Sequence, residues 1–106
     1  MGNKYTPDQW TLVELKSEEH GSIIKVFAGW YGGYLNGDSW KLSSGVTETK
    51  DCGDYYEYLN ESGSLYTCYK RARGMSGYMS SIYAGWVKAQ SDNNFTIEVI
   101  KSEDGE

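Results

Sequence analysis

Apolar and polar residues alternate with a period of two over most of this chain, the pattern of strands with one face toward a core. Residues 9–15 put Trp10 and Leu12 on one parity and Thr11, Val13 and Leu15 on the other, so both faces are partly apolar and the strand is central or wrapped. The polar turn Ser17-Glu18-Glu19-His20-Gly21 leads into a second strand over 22–29. Ile24, Val26 and Ala28 share one of its faces, Ile23, Lys25 and Phe27 the other, and the two strands pair as an antiparallel hairpin. From 29 to 40 the chain holds four Gly and four aromatic rings, with the type I′ turn pair Asn36-Gly37 in its second half. A second hairpin is expected there, bulged or bent around Gly29, Gly32 and Gly33, with a return arm from Ser39 that continues past Gly45 toward Lys50. Turns at 51–54 and 61–63 then bracket strands over 55–60 and 64–71, completing a meander.

The period changes at Ser76. Tyr78, Met79, Ile82, Tyr83, Trp86 and Val87 follow the i, i+3, i+4, i+7, i+8 spacing of an amphipathic helix, which Ser76 is placed to cap. Gly85 lies inside it, and an interior helical Gly often marks a close approach to a neighbouring strand. Phe27-Ala28-Gly29-Trp30 is echoed by Tyr83-Ala84-Gly85-Trp86. A true duplication would make the second copy a strand, but four residues are too few to carry that, and the helix stands. Ser91 to Asn94 end it, and 95–100 forms a last strand with Phe95, Ile97 and Val99 on one face. The expected fold is α+β: one domain over 1–106, about six mostly antiparallel strands in a twisted sheet or partly open barrel, one helix near 76–90, and loose tails at 1–8 and 101–106.

Composition shifts attention to the rings. Leu, Ile, Val and Phe make up only 18 of 106 residues, and ten Tyr and four Trp stand in for the missing aliphatics. A domain of this size has too little interior to hide 16 rings, so several are expected at the surface. Tyr, Trp and Gly are the residues of recognition surfaces, because rigid rings give contact area at low entropic cost. The candidate binding group is therefore Trp30, Tyr31, Tyr34 and Trp40 around the glycine-rich hairpin, facing a protein or a small molecule. Tyr56, Tyr58 and Tyr66 share one parity and Tyr55 and Tyr69 the other; one set faces the core under the helix and the other forms a shallow platform. Spare aromatics would also be satisfied at a homodimer interface.

A net charge of −5 argues against duplex DNA and anionic membranes, and no run of about 20 apolar residues spans a bilayer. With no apolar leader before Pro7, the chain reads as cytoplasmic, and Cys52 and Cys68 as reduced thiols, Cys68 in the core and Cys52 in an exposed turn. The single histidine, His20, sits in a turn beside Glu18 and Glu19. That leaves catalysis by a base-activated nucleophile without its usual base, and no catalytic, metal or cofactor site is assigned. Two further readings follow from charge. Asp51, Asp54, Glu57 and Glu61 could imitate phosphate spacing, as in an acidic inhibitor of a host nucleic-acid or defence system. Tyr66 and Tyr69 beside Lys70, Arg71 and Arg73 could stack single-stranded bases. A small enzyme pairing His20 with a nearby carboxylate is a third.

The run Gly37-Asp38-Ser39-Trp40-Lys41-Leu42-Ser43-Ser44-Gly45-Val46, the acidic turn after it, Ser62-Gly63-Ser64-Leu65-Tyr66-Thr67-Cys68 and Ser76-Gly77-Tyr78 together resemble small uncharacterised proteins carried by phages and mobile gene cassettes. The resemblance covers about residues 10 to 90. It implies a bacterial, intracellular accessory protein and carries over no catalytic residue.

Overall fold

A computed structural model describes residues 2–19, 21–32, 37–90 and 94–100. Among them the chain forms β1 (Lys4–Tyr5), β2 (Gln9–Ser17), β3 (Gly21–Trp30), β4 (Ser39–Asp51), β5 (Tyr55–Asn60), β6 (Leu65–Tyr69), a 3-10 turn (Lys70–Ala72), α1 (Gly77–Gln90) and β7 (Phe95–Ile100). The fold is α+β with an open mixed sheet of seven strands in the order β1-β6-β5-β4-β3-β2-β7. Every pairing is antiparallel except β1 with β6. The strand beyond the expected six is β1, from a segment expected to be a loose tail. Two residues are too few to show a period, which hid it.

β4 makes the sheet curl. Its register slips twice, between the Lys25 and Phe27 pairs with β3 and between the Val46 and Glu48 pairs with β5. Hydroxyls make bonds at both bulges: Val26 N donates to buried Ser43 Oγ at 2.8 Å, and Thr47 Oγ1 donates to Leu59 O at 3.2 Å. Each bulge bends and twists the strand, so the first half of β4 follows β3 and the second half follows β5. The curl brings the two ends of the sheet face to face. Trp10, Val26 and Ala28 of β2 and β3 thereby pack on Tyr58, Tyr66 and Cys68 of β5 and β6.

A seam holds the curl. Trp10 Nε1 donates to Tyr69 O at 2.7 Å, Gly74 N donates to Trp10 O at 2.7 Å, and the Arg73 guanidinium lies 5.0 Å from the Trp10 ring while donating to Ile100 O at 2.8 Å. β1 closes the neighbouring end, where Tyr5 stacks on Tyr66 at 4.8 Å and Leu65 N donates to Asn3 O.

The outer face of β2, β3 and β7 is covered by α1. Met79 is fully buried against Val13, Phe27 and Ile97, with Ile82, Tyr83, Trp86 and Val87 packed around them. Ser76 caps the helix, its Oγ accepting the Met79 N–H at 3.2 Å. Gly85 makes no close approach, since a Cβ there would meet open space; the crowded glycine is Gly29, where a Cβ would sit 2.5 Å from Met79 Sδ. The two echoed segments are one strand and one helix, and they pack on each other through Phe27 and Trp86 at 4.7 Å. The expected helix end at 91–93 and the tail at 101–106 lie outside the described residues.

Candidate functional site

Alternation along β3 divides the predicted aromatic group. Trp30 falls on the inner parity with Val26 and Ala28; its ring lies 6.1 Å from Tyr5 and its Nε1 donates to Thr6 O at 3.1 Å. Tyr31 and Trp40 are on the outer side. Trp40 pairs with Gly29 across the β3–β4 ladder, and the absence of a side chain at Gly29 lets Met79 close over the strand between them. Tyr34 lies outside the described residues.

Tyr31 and Trp40 are 58% and 39% exposed, yet each is held. Tyr31 N donates to Asp8 Oδ2 at 2.8 Å, and its hydroxyl donates to Gln9 Oε1 at 2.6 Å. Trp40 rests edge-on against Trp86 at 5.3 Å and Phe27 at 6.0 Å. On a helix of 3.6 residues per turn Tyr78, Ile82 and Trp86 share a flank, the flank on which Trp86 meets β4. Tyr83 occupies the other flank and bonds Ile97 of β7. Tyr78, 38% exposed, thus extends the aromatic surface along the helix. Asp8, Gln9, Tyr78 and Trp86 were not visible as site residues in the sequence, because their relation to Tyr31 and Trp40 depends on where α1 lies.

The charged candidates are divided as well. Asp51 accepts from Lys70 Nζ at 2.9 Å and from Gly53 N at 3.0 Å, and these contacts hold its carboxyl below the ordinary range. Glu57 lies mid-strand opposite Lys50, while Asp54 and Glu61 flank opposite ends of β5. The four acids therefore make no single array. Tyr66 is inner and buried, whereas Tyr69 is outer, with Tyr55 at 5.3 Å and Arg71 above it at 5.0 Å. Lys70 lies over Tyr56 at 4.7 Å and Arg73 over Trp10, so these cations serve the inner aromatic cluster rather than a stacking track beside Tyr66 and Tyr69. Tyr55 and Tyr69 form the shallow outer pair, and the inner set lies under β2 and β3 rather than under the helix, because the curled sheet packs on itself and α1 takes the other face of those strands. Cys68 is buried and Cys52 half-buried, both as free thiols. His20 lies outside the described residues, and among the described residues no three His, Cys, Asp or Glu side chains gather to hold a metal ion.

Two clefts among the described residues lie around the β2–β3 turn and the start of β7, with Glu18 and Phe95 lining both, and neither includes Tyr31 or Trp40. Tyr31 and Trp40 are thus exposed rings outside both of these clefts. Among the described residues no helix is long and apolar enough to cross a membrane. No family model matches the chain, and no curated protein or solved structure matches it.

Proposed function

We propose that the protein is a non-enzymatic binding module that docks another protein through the outer aromatic surface of Tyr31 and Trp40, extended by Tyr78. The observation that carries this reading is the combination of exposure and restraint at Tyr31 and Trp40. Each ring is open to water on one side and fixed on the other by hydrogen bonds or by ring packing. Such rings are pre-organised, so a partner that covers them loses little side-chain entropy. Exposed rings suit the surface of a protein better than a small molecule, which binds in enclosed pockets. The resemblance to proteins of phages and gene cassettes fits an accessory role in a bacterial cytoplasm.

The test is site-specific photo-crosslinking in bacterial cells with benzoylphenylalanine in place of Tyr31, compared with the same group at exposed Thr47. The expected result is a discrete protein adduct from position 31 and none from 47. Equal adducts from both positions, or none from 31, would overturn the reading.

A further inference from the structure

Resting on that reading, we infer that the surface recognises a segment carrying arginine or lysine, held by cation–π contact with Tyr31 and Trp40 and by the carboxylates of Asp8 and Asp38. Asp8 is anchored at the Tyr31 N–H, and its own N–H donates to Gly29 O at 2.9 Å, so its charge sits beside the ring. Asp38 lies one residue beyond the Trp30–Ser39 pair and is exposed. Continued alternation puts it on the parity of Trp40. The hairpin arms still touch at that level, since a Cβ on Gly32 would collide with Gly37 O.

The cations of the surrounding elements are directed elsewhere. Lys41 follows Trp40 but turns to the inner side, where its Nζ lies 5.4 Å from the Tyr5 ring. Arg73 is engaged with Trp10 and Ile100. On α1, Trp86 is the residue that meets Trp40, while Lys88, two residues on, lies on the opposite, exposed side of the helix. Lys25 shares the outer parity of β3 but lies four residues before Gly29, so two exposed rings and the acids near them form an electron-rich surface. A guanidinium or ammonium can lie over such rings while its charge is balanced at the rim.

The probe is an acetylated, amidated hexapeptide alternating Gly and Arg, titrated into the full chain and followed by amide and indole resonances. Gly-Gln and Gly-Glu hexapeptides serve as comparisons. The Gly-Arg peptide is expected to shift Tyr31 and Trp40 selectively and to bind more weakly as salt rises. Trp40→Ala, or Asp8→Asn with Asp38→Asn, should weaken it by about tenfold. Glu18→Gln with Glu19→Gln removes the same charge at the far end of β2 and should leave binding unchanged. Equal weakening by that control pair overturns the inference, because binding would then follow net charge alone. Equal shifts from the Gly-Gln or Gly-Glu peptide overturn it too, yet leave the aromatic surface as a docking site. Absence of any peptide shift alongside a crosslink at Tyr31 removes only the cationic partner; absence of both removes the parent reading as well.

Discussion

Cys68, Tyr58 and Tyr66 point into the inner core, where burial disfavours their charged forms. It pushes the Cys68 thiol up to about 12, partly offset by Arg73, and the Tyr66 phenol up to about 12, and it raises Tyr58 as well. An unfolded chain releases these protons at ordinary values, roughly 8.5 for the thiol and 10 for the phenols. The native state holds protons that the unfolded state has lost, so this contribution to stability is intact below about pH 8.5 and declines as pH rises toward 12. Urea unfolding at a series of pH values should show stability falling from about pH 8.5 upward. Cys68→Ala should move that onset up to the phenol range, about pH 10, although the variant starts from a lower plateau. An unchanged onset would mean that Cys68 does not drive the alkaline loss. At this scale the sequence already marked Cys68 as core and the 29–40 rings as exposed candidates. Which rings face outward depended on the side of β3 that α1 covers, and α1 contacts it only through the fold.

At the scale of elements, two glycines exchange the roles expected of them. Gly85, in the middle of α1, has free space where a Cβ would go, so alanine there should stabilise the protein by about 0.5–1 kcal/mol through a less flexible unfolded chain and better helix propensity. Gly29, in a strand, is crowded by the middle of the Met79 side chain, and alanine there should cost about 1–3 kcal/mol. Thermal unfolding checks both, and shifts of the same sign would refute the packing described. The helix and the long strands were legible because period and length agreed. Ser43-Ser44-Gly45 hinted at irregularity, yet the double bulge of β4 could not be read from it. A bulge is defined by the partner strand, and Ser43 is satisfied by Val26, 17 positions away.

Across the whole molecule, the described edges of the sheet are short or partly occupied. Gln90 Oε1 accepts the outward Ile97 N–H at 3.0 Å and the Tyr83 hydroxyl donates to Ile97 O, while the other edge is occupied by β1 and by the indole of Trp10 on Tyr69 O. Unpaired edges invite other strands, and a two-residue edge strand at one end with side-chain bonds at the other makes such pairing less favourable. The seam that completes this arrangement has a kinetic meaning. β2 to β6 pair with their sequence neighbours and need only short loops to close, but Trp10 and Tyr69 are 59 residues apart. Local hairpins therefore form early and the seam late, after most of the chain entropy has been spent. The same seam is where the native state first opens. In amide exchange, Gly74, whose N–H bonds across it, should exchange before Val13 and Phe27, and the reverse order would place the folding nucleus at the seam instead.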